Sequence, residues 1–381
     1  MAAPLRSGFE SRQQSVRTAL DDASLDVLVV THLPNVRYLC GFTGTAGVLV
    51  VDPKSCTLLI DFRYVTAARA LAESFGSAAP LDLEIVDSSY DDALVRLLRT
   101  RGWRRIGIEA AHMSVSRFNH VATALAAGEP QDSIDDSIPE LVPTERIVER
   151  ARSVKDASEI ALMREAARRL SDVARAVPPL IRTGRTEQEV AAAIDAALRG
   201  AGFERPAFET IVASGPNSAL PHARPTARTL RDGDGVVLDF GGVYDGYCVD
   251  LTRTVQLGRR SDDLARIFTA VQRAQAAALA AVHPGVNASD IDAAAREVLR
   301  EAGLGDAFGH GTGHGLGLEV HEEPRIARVT PGQPDTPIVA GMVFTIEPGA
   351  YVAGVGGVRI EDDVLVVANG CDLLTDVPID L

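Results

Sequence analysis

The sequence is short of cysteine, with four in 381 residues, and no two of them form a C-x-x-C pair. Cys40, Cys56, Cys248 and Cys371 lie too far apart for a zinc knuckle or a dithiol redox motif, and reduced thiols in a cytosol are expected. Positive charge is also scarce: 38 Lys and Arg stand against 52 Asp and Glu, a net charge of -14. A protein that tracks the phosphate backbone normally carries a basic patch, so this balance argues against nucleic acid as a partner. Long apolar runs are missing as well. Nothing approaches the roughly 20 residues of a membrane span, and Met1 to Glu10 has no apolar stretch behind a basic start. The expectation is a soluble cytoplasmic protein that engages neither nucleic acid nor membrane.

What is present is enough chain for two packed domains. Residues 26 to 65 alternate between short apolar runs, at Asp26–Val30, Gly47–Val51 and Leu58–Ile60, and turn formers such as Leu33-Pro34-Asn35 and Asp52-Pro53-Lys54-Ser55. Helical periods flank them at Glu10 to Ala23, Tyr64 to Ser74 and Tyr90 to Arg101, and Arg105 to Ile108 reads as another strand. Strands alternating with helices indicate a layered α/β unit. Pro130 to Pro143, with its prolines, acids and serines, reads as a connector, which divides the chain into domains at 1–140 and 141–381. Beyond it, Asp156 and Glu159 form a capping box that opens a helix to about Ala176. Further helices open near Thr186, Ser261 and Ser289.

Five residues able to bind metal follow in order: Asp239, Asp250, His314, Glu347 and Glu361. Four carboxylates and one imidazole suit a pair of hard divalent ions, which a few ångströms apart can share and activate one water. Asp239 lies within the apolar run Val236-Val237-Leu238-Asp239-Phe240, and Asp250 follows an Asp245-Gly246 turn signal in a β-rich segment. With a two-residue turn, Asp250 stands opposite Gly241, leaving the two carboxylates diagonal neighbours roughly 7 to 8 Å apart at the backbone. A lone Asp is more often a solvent-facing residue. An unpaired carboxylate inside an apolar run, however, costs several kcal/mol, and a cation explains it better.

Gly309 to Pro324 holds His310, His314 and His321. The spacing of His310 and His314 imitates a helical zinc pair, but each interior glycine costs a helix about 1 kcal/mol, so a tight loop is expected. His321-Glu322 opens like a zincin motif, yet position 325 is Arg where the second His belongs, and that reading fails. Glu347 ends the strand-like Phe344-Thr345-Ile346 before Pro348-Gly349, and Glu361 heads Asp362-Asp363-Val364-Leu365. His222 stands in a loop, within Leu220-Pro221-His222-Ala223.

Together these segments resemble the pita-bread metallopeptidases, the family of methionine aminopeptidase, aminopeptidase P and prolidase, over roughly residues 145 to 375. The N-terminal segments Asn35-Val36-Arg37-Tyr38-Leu39-Cys40-Gly41-Phe42-Thr43-Gly44 and Asp61-Phe62-Arg63-Tyr64 resemble the creatinase-type domain of the Xaa-Pro branch. The resemblance implies an α+β chain: a pita-bread catalytic domain behind a smaller α/β creatinase-type domain. It implies that Asp239 and Asp250 bind metal through both oxygens, that Glu361, with Asp250 as a second candidate, bridges the ions, and that His314 and Glu347 complete one shell. By the same resemblance His222, His310 and His321 would hold substrate and stabilise the tetrahedral intermediate. Glu347 would shuttle the proton, and Arg359 would support the site from beside Glu361. Creatinase itself shares the fold without the metal ligands, so creatinase chemistry is disfavoured here.

The implied activity is hydrolysis of the peptide bond before proline in short peptides, with two divalent ions per subunit. Oxygen-rich ligation favours Mn²⁺, with Co²⁺ or Zn²⁺ as alternatives. The resemblance also implies a homodimer in which the N-terminal domain of one subunit helps close its partner's site. The resemblance covers both a dipeptidase and an aminopeptidase P. A non-catalytic peptide-binding member of the same fold is the alternative, and a phosphatase-like dinuclear hydrolase, which would need cationic phosphate clamps, is a weaker rival.

Overall fold

A computed structural model describes residues 8–75, 80–127 and 138–380, which divide into two compact units, 1–152 and 153–381. The expected division near 140 falls at the end of a segment, 128–137, that lies outside the described residues. Just after it, Glu140–Thr144 is a strand within the first unit.

In the first unit the strands are β1 (Val27–Val30), β2 (Val48–Val51), β3 (Cys56–Asp61), β4 (Leu81–Val86), β5 (Arg105–Glu109) and β6 (Glu140–Thr144). They form one sheet in the order β4-β3-β2-β1-β5-β6, antiparallel at β1–β2 and β2–β3 and parallel elsewhere. Every residue of β1 and β2 is buried, as expected of apolar strands covered on both faces. The helices are α1 (Phe9–Asp22), α2 (Leu33–Cys40), α3 (Val65–Ala72), α4 (Tyr90–Arg101), α5 (Val115–Ala126) and α6 (Ile147–Ser153). The turn expected at Leu33-Pro34-Asn35 is instead the start of α2. Pro34 sits in the first helical turn, where an amide has no intrahelical partner to lose, and Gly41, with φ 75°, ends the helix.

In the second unit, a helix pair followed by antiparallel strands occurs twice. The first round comprises α7 (Ala157–Ala176), α8 (Glu187–Gly200), β7 (Arg205–Pro206), β8 (Ile211–Ser214), β9 (Gly235–Asp239), β10 (Gly242–Tyr244), β11 (Tyr247–Val249) and β12 (Thr252–Gln256). The second comprises α9 (Asp262–Ala281), α10 (Ala288–Glu301), β13 (Gly313–Gly315), β14 (Glu322–Ile326), β15 (Val343–Ile346), β16 (Gly349–Val352), β17 (Gly356–Arg359), β18 (Asp362–Val367) and β19 (Gly370–Leu373). The capping box reads as expected: Asp156 Oδ1 accepts from the amides of Ser158 and Glu159 at 2.8 and 3.0 Å, and Glu159 Oε2 accepts from the Asp156 amide at 3.0 Å. Thr186 and Glu189 repeat the device at α8.

Each helix pair packs on its own strands. Met163, Leu170, Val190, Ile194 and Leu198 bury against Val236, Leu238, Val243 and Val249, while Ile267, Val271, Ile291 and Leu299 bury against Phe344, Ile346, Val358 and Val364. A fully buried side chain of this size contributes about 1.5–3 kcal/mol, so the two cores hold the strands rigidly enough to fix the groups at their ends. The strands form sheets β11-β10-β7, β12-β9-β8, β14-β13-β15-β18-β19 and β16-β17. Among the described residues no helix is long and apolar enough to cross a membrane.

Candidate metal centre

The hairpin follows from its turn. Asp245 and Gly246 have φ of 42° and 77°, the paired left-handed values of a two-residue turn that matches strand twist. Tyr244 then pairs with Tyr247 and Gly242 with Val249, and the same register continues into Thr252 opposite Asp239. Asp250 therefore stands across from Gly241, as the turn signal implied. Gly241 is needed here because a Cβ on it would lie 2.2 Å from the Val249 carbonyl oxygen.

The other strands bring the remaining acids to the same end. Between β15 and β18, Ile346 pairs with Asp362, and one step beyond stand Glu347 and Glu361. His314 is the middle residue of β13, which lies between β14 and β15, so the expected loop is a short strand. The flanking glycines serve these neighbours rather than a ligand: a Cβ at Gly313 would meet the Thr345 carbonyl oxygen at 1.8 Å, and one at Gly315 the Glu323 carbonyl oxygen at 2.2 Å.

The result is a convergent donor set. Asp250, His314 and Glu361 each offer a ligand atom within 4.8 Å of the others. His314 Nε2 lies 4.0 Å from Asp250 Oδ2 and 3.8 Å from Glu347 Oε1. His314 Nδ1 faces the Gly315 carbonyl oxygen at 3.1 Å and must donate to it, which leaves the Nε2 lone pair aimed at two carboxylates. Burial pushes His314 down to about 4, so the imidazole is neutral and supplies no positive charge. Asp239 Oδ1, Asp250 Oδ1 and Glu361 Oε1 are buried without a hydrogen-bond partner.

Crowded acids in a dry site resist ionisation. Burial, then the fields of Glu361, Asp239, Asp363 and Glu347, raises Asp250 well above the usual carboxylate range. Burial and the fields of Glu347 and Asp239 do the same to Glu361, and burial pushes Glu347 up to about 8. Orphaned oxygens, a lone pair pointing at acids and strained ionisation have one common remedy, divalent cation between them. The residues present fit an oxygen-rich site for such ions.

Around this set stand groups that orient it. Arg359, 3% exposed, donates from Nη2 to Asp239 Oδ2 at 2.5 Å, from Nη1 to Tyr351 Oη at 2.7 Å and to the Pro221 carbonyl oxygen at 3.2 Å. His310 donates from Nδ1 to the Gly311 carbonyl oxygen at 2.8 Å, so its Nε2 accepts from Tyr351 Oη at 3.0 Å. Burial holds His310 down at about 4. Asp292 and Arg296 of α10 brace that loop: Asp292 Oδ1 accepts from the Thr312 amide and Oγ1, and Arg296 donates to the carbonyl oxygens of Phe308 and His310. The His321 ring packs edge-on to His314 at 4.3 Å. His222 is exposed, and near enough for its field to help lower both His310 and His321.

Four participants escaped the sequence reading. Thr252 donates from Oγ1 to Glu361 Oε2 at 2.6 Å, a contact foreshadowed only by its register opposite Asp239. Asp363, fully buried, accepts from the Asp250 amide at 3.0 Å. Tyr351 carried no signal. Arg325 is the cross-strand partner of His314 and is exposed, and its charge reaches His321. It is the residue whose identity ended the zincin reading.

The profile of Metallopeptidase family M24 matches residues 161–368, more than half of the chain and all nine candidate site residues. The chain belongs to metallopeptidase family M24. Its first unit matches the Creatinase/Prolidase N-terminal domain over residues 12–154. This M24 metallopeptidase is 33% identical to the Xaa-Pro dipeptidase of Pyrococcus furiosus across 96% of this chain and 98% of that one. Among solved structures it is similar to an Xaa-Pro dipeptidase from Bacillus anthracis, with TM-score 0.88, 35% identity and 97% and 98% coverage. It is also similar to an X-Pro aminopeptidase from Thermotoga maritima, with TM-score 0.81, 32% identity and 94% and 97% coverage. A creatinase-type domain followed in the chain by a pita-bread catalytic domain, as expected from the sequence, is the fold of this M24 chain.

Proposed function

We propose that the protein hydrolyses the peptide bond before proline in short peptides, using two divalent ions held by Asp239, Asp250, His314, Glu347 and Glu361. The observation that carries this reading is the convergence of donor atoms from Asp250, His314 and Glu361 within 4.8 Å of one another, in a site where Asp239, Asp250 and Glu361 each keep a buried carboxylate oxygen without a hydrogen-bond partner. When bound, such ions supply Lewis acidity at the scissile carbonyl and a nucleophile available near neutral pH. Glu347 takes the proton from the attacking water at a carboxylate oxygen and delivers it to the proline nitrogen as the C–N bond breaks. His321 and His222 donate hydrogen bonds to the oxygen that gains charge, a contribution of about 2.7–4 kcal/mol per donor in comparable sites. Arg359 fixes Asp239, and through Tyr351 it keeps His310 an acceptor at Nε2.

Similar proteins of both kinds exist, an Xaa-Pro dipeptidase and an X-Pro aminopeptidase. Arg325 favours the dipeptidase. Cross-strand partners project from one face of a sheet, so its guanidinium shares the face of His314 and suits the free carboxylate of a dipeptide's proline. Assay with Ala-Pro and Ala-Pro-Ala after Mn²⁺ addition tests the reading. Cleavage of Ala-Pro alone supports the dipeptidase, cleavage of the tripeptide the aminopeptidase, and no cleavage of either the non-catalytic binder.

Mn²⁺ is the proposed resident ion because four of five donors are carboxylates, and metal analysis distinguishes it from Co²⁺ or Zn²⁺. The four free cysteines support a reducing cytosol as the site of action. A homodimer completes the proposal, and a fully active monomer in sedimentation would remove it.

A further inference from the structure

Glu187, the first residue of α8, is wholly buried and collects donors from a distant segment. Its Oε1 accepts from the Ser214 amide at 2.7 Å, Ser214 Oγ at 2.6 Å and Asn217 Nδ2 at 3.1 Å. Its Oε2 accepts from the Thr226 amide at 3.0 Å, Thr226 Oγ1 at 2.6 Å and Asn217 Nδ2 at 3.1 Å. Burial by itself pushes this carboxyl up, but the hydrogen bonds from Ser214 and Thr226 outweigh it and hold the group below its ordinary range. The helix N-terminus adds favourable dipole for the charge.

Ser214 and Thr226 are the two ends of the loop whose middle is Leu220-Pro221-His222. One carboxylate therefore closes the loop. Arg228 reinforces the closure, donating to Ser214 Oγ at 2.6 Å while paired with Asp234. The loop's middle is tied to the metal centre instead: Ser218 Oγ accepts from the Gly357 amide at 2.9 Å, and the Pro221 carbonyl oxygen accepts from Arg359 at 3.2 Å. His222 itself makes none of these bonds. Its position is inherited from the segment that carries it.

We propose that Glu187 is a positioning residue for His222, clasping both ends of loop 214–226 so that its middle presents the imidazole beside His310 and His321. The inference deepens the proposed function, from which it takes the role of His222. Its logic is that a loop with fixed ends and a pinned middle holds an exposed side chain near one place, whereas a loop with one free end does not. Displacement of about 1 Å at a positioned group can cost on the order of 100-fold in rate.

Glu187→Gln keeps the shape but turns one acceptor oxygen into a donor facing the amides it must satisfy. The expected result is a kcat/KM for Ala-Pro lowered about 10- to 100-fold per folded, metal-loaded chain, with Mn²⁺ stoichiometry unchanged. Limited proteolysis within 215–225 should be faster by at least about tenfold, since the loop then opens locally more often. In a His222→Ala background the same substitution should change kcat/KM by less than about twofold, because the group it positions is gone. Thr226→Val should act in the same direction and Thr226→Ser should restore parental values, which keeps the test decisive if Glu187→Gln does not fold. A Glu187→Gln protein with parental kcat/KM and parental proteolysis overturns the proposal. So does an equal loss in the His222→Ala background, which would make the role purely structural. If the parent cleaves no proline peptide, the functional reading fails on its own, and the proteolysis of Glu187→Gln still decides the clasp.

Discussion

Removing metal should make this protein less stable as pH rises through neutrality, contrary to the usual behaviour of paired carboxylates. Glu347 ionises near 4.5 when unfolded but only near 8 in the metal-free fold, because burial disfavours its charge. In that window the folded state holds a proton that the unfolded state has lost, so the stability it contributes is present at low pH and is lost as pH approaches the folded value. Asp250 and Glu361 are raised in the same sense. His310 and His314 oppose them: lowered from 6.5 to about 4, they favour the fold as pH rises, but only up to about 6.5.

Above that point the two histidines have only about 0.4 kcal/mol each left to add, and the carboxylates dominate. From pH 6.5 to 8, Glu347 by itself removes about 1.6 kcal/mol, because the slope of about 1.4 kcal/mol per pH unit falls by half as the pH reaches its folded value. Urea unfolding in EDTA should show lower stability at pH 8 than at pH 6.5. Saturating Mn²⁺ should abolish that difference, because the ions replace the protons, and loading at pH 7 should release protons into the medium. Equal stability at both pH values in EDTA, or loading without proton release, would refute the reasoning.

Glu347→Gln should retain the fold and raise metal-free stability near pH 7, since it removes a buried titrating acid, while lowering kcat by about 10²–10⁴-fold, checked by urea unfolding in EDTA and steady-state kinetics. Asp239→Asn should weaken Mn²⁺ binding by more than about tenfold in calorimetry, since its Oδ1 is one of the partnerless oxygens. Thr252→Val removes the hydroxyl that orients Glu361 and should cost about 10- to 100-fold in metal affinity without loss of fold. His310→Ala should impair kcat less than His321→Ala, because His310 is already committed to Gly311 and Tyr351; the reverse ranking would count against the roles assigned.

Much of the centre was legible because its signals are local. The Asp245-Gly246 turn fixes the register that brings Asp250 across from Gly241, and the strand-end positions of Glu347 and Glu361 are set by apolar runs visible in the sequence. What was not legible depends on strands that meet only in three dimensions. The glycines around His314 read as loop formers, yet they mark close approach of Thr345 and Glu323 from neighbouring strands. Tyr351 and Asp363 carry no motif of their own, since their partners lie on other elements. Pro34 looked like a turn former because a helix tolerates proline only in its first turn, and composition alone does not say where that turn begins. Glu187 lies in the segment near Thr186 that reads only as a helix start, although its side chain serves a distant loop.

The account turns on cation pairing of carboxylates that otherwise have no partner. Anomalous diffraction at the manganese edge from Mn²⁺-soaked crystals tests this most directly. Two peaks per chain are predicted among the carboxylate oxygens of Asp239, Asp250, Glu347 and Glu361, with one of them also reached by His314 Nε2. An empty map at that position, or manganese bound only elsewhere on the chain, would contradict it.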